Sequence, residues 1–291
     1  MAEPMRIWKY HGTGNDFVLL EDMADERPLS AALVAALCDR HRGVGADGVI
    51  RVTAGRESGQ DFFMDYRNAD GSLAEMCGNG IRCLGRFVIE RGHTTSTRLA
   101  VGSRGGTKRL SVDVVADEVH SITVGMGTPS FERARIPMAG GGPDPFLTEP
   151  FEVDGRTYKA SAVSMGNPHL VLFVEGDPGA IDVPAIGPRI EHDPRFPEQT
   201  NVEFVSVGGD GLHARVWERG SGETMACGTG ACAALVAANE AGLVSARAEV
   251  RFPGGVLTVE RTDDDVLLTG PAERVFEATI DEDWLGTRGL A

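Results

Sequence analysis

No run of about 20 apolar residues occurs in the 291-residue chain, so it offers no helix able to span a bilayer. The longest apolar helical candidate, Ala231–Ala238, is far too short. Basic residues are scarce: 28 Lys and Arg face 43 Asp and Glu, a net charge of −15, which argues against a nucleic-acid backbone as a partner. The opening MAEPMRIWKYHGTGND has neither the basic start nor the apolar run of a secretory signal, so export is not expected. Cysteine is sparse as well. Five cysteines are an odd number in a chain this long, which speaks against a disulfide framework and for a reducing cytoplasm. C-x-x-C is missing: Cys77 and Cys83 form C-x5-C, and Cys227 and Cys232 form C-x4-C, which disfavours thiol–disulfide exchange. Paired Cys and His at the short spacing of a structural metal site are missing too, so no metal is expected.

What the chain does have is one stretch written twice. Residues 218–232 read ERGSGETMACGTGAC, and residues 68–83 read NADGSLAEMCGNGIRC. Each copy has a Gly/Ser turn, then a cysteine opening Cys-Gly-x-Gly, then a run that can be helical. Cys77 and Cys227 stand 150 positions apart, with Asn68 and Glu218 nine positions before them. Gly-x-Gly lets the backbone turn tightly. A helix starting there aims unpaired N–H groups and a positive dipole end at the cysteine. Such a setting lowers a thiol pKa and seats a carboxylate or an enolate-like anion. A lone cysteine is most often a small buried hydrophobe. Two in matched contexts point to paired activated thiols.

Along the chain, Met5–Tyr10 and Phe17–Leu20 read as strands around a turn at residues 11–16. Ser30–Arg42 has helical spacing of Leu33, Val34, Leu37 and Cys38, with Gly43 as its stop. Gly43–Gly48 matches G-x-G-x-x-G letter for letter, but a helix precedes it and the β-branched run Val49–Val52 follows. The dinucleotide fingerprint needs the opposite order, so this is a helix-to-strand loop and no dinucleotide is expected. Phe62–Tyr66 is a strand leading into the first cysteine turn, and the helix from Gly78 runs to Arg91 with Gly92 as its stop. Strands are expected at 98–101, 110–115, 121–124, 158–164, 170–174, 201–207, 212–217, 250–252, 256–260, 266–269 and 274–280. Residues 125–129 read as a domain joint, residues 139–145 as a loop, and Asp263–Asp265 as a solvated hairpin turn. The helix after Cys227 is apolar on every side and must be buried all round.

The repeat extends beyond the cysteines. Gly14-Asn15 recurs as Gly166-Asn167 at an offset of 152, and Gly48 lines up with Asn201 at 153. The expected organisation is two similar halves, residues 1–127 with 276–291 and residues 128–275. Each contributes one cysteine and Asn residues to a shared cleft, where small-molecule sites concentrate. A cysteine hydrolase would use one thiolate and His169 and leave the second cysteine idle. Two-base proton transfer uses both: one thiolate removes a proton from carbon and a thiol on the opposite face returns one.

MCGNGIRC, ERGSGETMACGTGAC, HGTGNDF, GNPH and TNVEF together resemble the diaminopimelate epimerase family, from about Met5 to Ile280. The wider superfamily includes proline and hydroxyproline racemases, whose first cysteine is usually followed by Gly-His; Glu218-Arg219 and Asn79 favour the epimerase. The resemblance implies an α+β fold of two pseudo-symmetric domains, each a curled, barrel-like mixed sheet around a central buried helix, with the active site in the interdomain cleft. It implies cofactor-independent, metal-free interconversion of LL- and meso-2,6-diaminoheptanedioate in lysine and cell-wall precursor biosynthesis, and it leaves a homodimer open. Cys77 and Cys227 match the catalytic acid/base pair. Gly78, Asn79, Gly228 and Thr229 match positions that hold the α-carboxylate. Asn15, Asn68, Asn167, Asn201 and Arg219 match substrate-binding positions, Arg219 taking the distal carboxylate in a two-pronged bond. Glu218 and His169 match substrate contacts and tuners of thiol protonation. Cys38, Cys83 and Cys232 are expected to be buried helix residues. Some family members carry Gln where this chain has Gly48, so a side-chain contact there must be absent or supplied by another group.

Overall fold

The computed structural model describes residues 5–140 and 144–290. Part of the loop expected at residues 139–145, and the first four residues of the opening segment, lie outside the described residues. The chain divides into two units, one running to Val124 and resuming at Pro271, the other Gly125–Gly270.

The first unit begins with β1 (Met5–Gly12) and β2 (Asn15–Glu21), then α1 (Ala31–Cys38), β3 (Gly48–Ala54) and β4 (Phe62–Asn68). It continues with α2 (Gly78–Glu90), β5 (Arg98–Ser103), β6 (Gly106–Val115) and β7 (Glu118–Gly125). The turn between β1 and β2 is shorter than the sequence implies: only Thr13 (φ 52°) and Gly14 (φ 82°) leave the ladder, and positive φ at both suits a two-residue hairpin. Helix α1 is also shorter than its periodicity. It stops at Cys38, because the loop turns back and Val44 and Gly45 N–H donate to the Leu37 carbonyl while Ala46 N–H donates to that of Cys38. The G-x-G-x-x-G loop lies between α1 and β3, as its context requires.

The second unit repeats the plan. It has β8 (Glu149–Val153), β9 (Arg156–Ser164), β10 (Pro168–Phe173), α3 (Val183–Glu191), β11 (Asn201–Gly208) and β12 (Gly211–Glu218). Then come β13 (Gly222–Thr224), α4 (Gly228–Glu240), β14 (Arg247–Phe252), β15 (Gly255–Arg261) and β16 (Val266–Gly270). Finally β17 (Glu273–Ile280) returns to pair antiparallel with β1, and α5 (Glu282–Gly286) follows it.

Registers carry the repeat. β2 and β3 are parallel with Phe17 opposite Gly48, and β10 and β11 are parallel with His169 opposite Asn201. Beyond the cysteine helix β4 pairs parallel with β5, and β12 parallel with β14. The whole is an α+β arrangement dominated by mixed sheet.

In each unit the sheet wraps its central helix. α4 packs against β9, β10, β11, β12, β14, β15 and β16, and Ala231–Ala238 are fully buried. α2 packs against β1, β2, β3, β6 and β17, its Phe87 meeting Trp8 and Tyr10 edge-on. Among the described residues no pairing joins β8 to β16, so the second sheet wraps without closing into a barrel. A second layer covers the outer face. Leu33, Val34 and Leu37 of α1 pack with Ile7, Val18 and Val49, and Ile186 and Ile190 of α3 pack with Leu170, Val202 and Phe204. Strand β3 is therefore buried from Gly48 to Thr53, and the charge of its buried Arg51 is met by Asp22 and Asp65.

Candidate active site

Each cysteine is the N-cap of its unit's central helix. Cys77 (φ −135°, ψ 120°) accepts from Gly80 N–H at 3.4 Å, and Cys227 (φ −123°, ψ 124°) accepts from Gly230 N–H at 3.3 Å. Sulfur takes the place that a serine or aspartate oxygen usually holds. The cap turns each sulfur onto the N–H end of a 13-residue helix, where developing negative charge is favoured. Cys77 is partly exposed, whereas Cys227 is buried.

Around Cys77, the sulfur lies 3.6 Å from Asn15 Oδ1, which also accepts from Asn79 Nδ2 at 3.1 Å. Asn15 is held from behind: its Nδ2 donates to Asp47 at 2.7 Å, and Arg40 binds both Asp47 and Asp16. Asn79 is held by Arg82, whose fully buried guanidinium donates to Asn79 Oδ1, the Gly78 carbonyl, Thr13 and the Pro271 carbonyl. Asn68 closes its own turn through Ser72. Gly48 has no room for a side chain, since a Cβ there would meet the Arg67 carbonyl at 2.5 Å and the Tyr66 ring at 2.6 Å.

Around Cys227 the plan is the same and the chemistry differs. The sulfur is 3.4 Å from the Thr229 hydroxyl, which also receives Asn167 Nδ2 at 3.4 Å. Asn167 Oδ1 faces His169 Nε2 at 3.0 Å, and His169 Nδ1 faces Glu203 at 2.7 Å. Glu218 accepts from the Thr224 hydroxyl. Asn201 is buried, its amide joining the Pro168 carbonyl to Arg219 N–H, so it fixes where Arg219 leaves the strand. The Arg219 side chain is exposed and donates to the Glu198 carbonyl.

The sequence leads one to expect a lowered thiol pKa at both caps. Cys227 departs from this: burial pushes its thiol well up, the nearby Glu218 and Glu203 carboxyls add to that, and the Thr229 hydroxyl and Gly230 N–H only partly offset it. Burial raises Glu218 and Glu203 as well. Cys38, Cys83 and Cys232 are buried, and burial pushes the Cys38 and Cys83 thiols up to about 12, which keeps those two protonated at neutral pH.

A model of the diaminopimelate epimerase family matches residues 7–132 and 161–275, which takes in both cysteine motifs. The chain belongs to the diaminopimelate epimerase family. It is 46% identical over 276 residues to the diaminopimelate epimerase of Moorella thermoacetica, covering 94% of this chain and 98% of that one. It is 45% identical over 281 residues to diaminopimelate epimerase 1 of a Nostoc species, with coverage of 94% and 98%. A solved hydroxyproline epimerase from Agrobacterium vitis shares the fold at a TM-score of 0.72 and 15% identity, covering 96% of this chain and 93% of that one. A Bacillus anthracis phenazine biosynthesis protein of the PhzF type shares it at 0.64 and 15%. Those two likenesses concern the fold alone.

Within this epimerase-family fold, several positioning residues escape a motif reading. Asp47, Arg82 and Glu203 orient Asn15, Asn79 and His169, and Glu191 of α3 accepts from Trp217 Nε1 and Gly220 N–H, pinning the turn that carries Glu218 and Arg219. Glu203 did leave a signal, being a carboxylate inside the apolar strand Val202-Glu203-Phe204-Val205.

Proposed function

We propose that the chain is an amino-acid epimerase that interconverts LL- and meso-2,6-diaminoheptanedioate, with Cys77 and Cys227 as the two proton-transfer groups. The observation that carries this reading is the matched pair of cysteine N-caps, one in each unit, within a family of that activity. The thiolate of one cysteine takes the α-proton and becomes a thiol. The electron pair left on carbon spreads into the α-carboxylate as an enolate-like dianion. The thiol of the other cysteine gives its proton to the opposite face and becomes the thiolate. Nothing is oxidised or reduced, and the enzyme ends with the proton on the other sulfur. The helix N-termini at Gly78–Asn79 and Gly228–Thr229 supply N–H groups for the carboxylate, where charge builds in the transition state. Arg219 takes the distal carboxylate, and Asn15, Asn68, Asn167 and Asn201 shape the binding positions.

The test is isotope incorporation in D2O at early times, starting from one pure isomer, with L-proline assayed in parallel. Product should carry deuterium at the inverted carbon, and recovered substrate almost none. The proton leaves to one sulfur while the deuteron arrives from the other, already equilibrated with solvent. Unlabelled product would overturn the two-base assignment, and turnover of proline instead would overturn the substrate.

A further inference from the structure

The two units lay different beds under their cysteine helices. A Cβ on Gly80 would meet Ile50 Cδ1 at 2.8 Å and the Phe17 ring at 3.5 Å. A Cβ on Gly230 would meet Glu203 Oε1 at 2.8 Å. Ile50 and Glu203 correspond at the offset of 153 that relates Gly48 to Asn201, and Phe17 and His169 at the 152 of Asn15 and Asn167. Below Cys77 the bed is therefore apolar. Below Cys227 it is a carboxyl and an imidazole, both with no solvent exposure.

That pair feeds a directed chain of hydrogen bonds. Asn167 Oδ1 has no hydrogen, so the one between it and His169 Nε2 belongs to the imidazole. A hydrogen on Nε2 leaves Nδ1 either as an acceptor or as the second N–H of an imidazolium. In both cases one further proton lies between Nδ1 and Glu203 Oε1, which are 2.7 Å apart. The surroundings favour keeping it: Glu203 Oε2 has no partner among the described residues, and an ionised, half-partnered carboxylate is costly without water. With its Oδ1 engaged, Asn167 turns Nδ2 to the Thr229 oxygen, and the Thr229 hydroxyl hydrogen is left for Cys227 Sγ. Were the shared proton lost, Nδ1–H would donate to Glu203 and Nε2 would become an acceptor. Asn167 would then flip, and Thr229 would turn its hydrogen away from the sulfur.

We propose that Glu203 is a positioning residue that acts on Cys227 through His169, Asn167 and Thr229, holding a hydroxyl donor on the sulfur when Cys227 gives up its proton. It is one of the features that set Cys227 apart from Cys77, whose bed is apolar. The other ionisable groups facing this cluster are Glu218, which adds its own charge at Cys227, and Cys227 itself. The proposal rests on the two-thiol reading above.

The experiment compares Glu203→Gln and Glu203→Leu, following iodoacetamide alkylation of Cys227 and Cys77 against pH by peptide mass spectrometry, with epimerisation measured alongside. Gln can donate to Nδ1 and so keeps the hydrogen on Nε2 without a titrating carboxyl. It should hold turnover within about threefold of wild type and remove from the Cys227 profile the inflection that follows loss of the shared proton. Leu leaves Nδ1 without a partner. Turnover should fall on the order of tenfold or more with KM little changed. Both variants lack the carboxyl that pushes Cys227 up, and only Leu also loses the Thr229 donor, so the Cys227 midpoint in Leu should lie about one pH unit above that in Gln while Cys77 stays put. A folded Leu variant whose Cys227 midpoint matches that of the Gln variant would overturn the proposal, as would a Gln variant that loses as much turnover as Leu. Should the Leu variant not fold, a Gln variant whose Cys227 profile keeps the wild-type shape overturns it alone. Alkylation needs no substrate, so failure of this wiring is distinct from a wild-type protein that does not epimerise diaminopimelate.

Discussion

Ile50 and Glu203 occupy the same place in the two units, each 2.8 Å from where a Cβ on the glycine three residues after the cysteine would stand. One ends in a methyl group that can shift within an apolar bed. The other ends in a carboxyl oxygen committed to His169. Gly80→Ala and Gly230→Ala are thus unequal substitutions at matched positions. Gly230→Ala should displace the Glu203 carboxyl and move the alkylation profile of Cys227. Gly80→Ala should leave that of Cys77 in place. Equal shifts in both variants would show that the bed beneath the cap does not matter.

Cys77→Ser and Cys227→Ser should each lose roughly 10²- to 10⁴-fold in turnover, the usual contribution of a positioned acid or base. Stability should barely change, because a serine oxygen accepts the Gly80 or Gly230 N–H as a good N-cap. Melting curves and steady-state rates check both halves of the expectation. Near-normal turnover in either variant would rule out a role for that sulfur.

Arg219→Lys should raise KM for diaminopimelate with a smaller effect on kcat. Arginine offers a carboxylate a planar fork, and lysine a point charge. The Asn201 amide sets where this side chain departs, so Asn201→Ala should act in the same direction. It should also cost about 1–3 kcal/mol in stability by leaving the Pro168 carbonyl and Arg219 N–H without their buried partner. An unchanged KM in Arg219→Lys would place recognition of the distal group elsewhere.

Acid should destabilise the first unit through Asp16. Burial alone would raise this carboxyl, but hydrogen bonds from Arg40 and Lys9 outweigh it and hold it at about 2. Its folded value lies below the ordinary ~3.9, so its contribution is present above that pH and is lost as pH falls toward 2. Glu203 and Glu218 have the opposite sign: raised by burial, they favour the fold most below their ordinary value near 4.3 and less as pH rises. Melting temperature against pH should therefore fall steeply below about pH 4, and Asp16→Asn should flatten that limb. A limb of unchanged slope in Asp16→Asn would remove Asp16 from the account.

The sequence by itself determined what is local or periodic. A cysteine before Gly-x-Gly caps a helix through contacts within four residues, so both N-caps were legible, as was the burial of the all-apolar α4. The common offset also carried more than a motif reading takes from it. Shifting α1 by 152 lands on Val183, where α3 begins, yet a helix holding Pro184 and Pro188 shows little apolar periodicity and is not foreseen. The strand β8 is likewise too short and too mixed to stand out. Only the tertiary structure decided the partners. Glu203 meets His169 because β10 and β11 pair in parallel with His169 opposite Asn201, and Arg82 meets the Pro271 carbonyl because the chain returns through β17. Hydrogen bonds of this kind depend on strand register and chain return, which no window of sequence contains, and they distinguish two cysteines whose flanking residues are nearly alike.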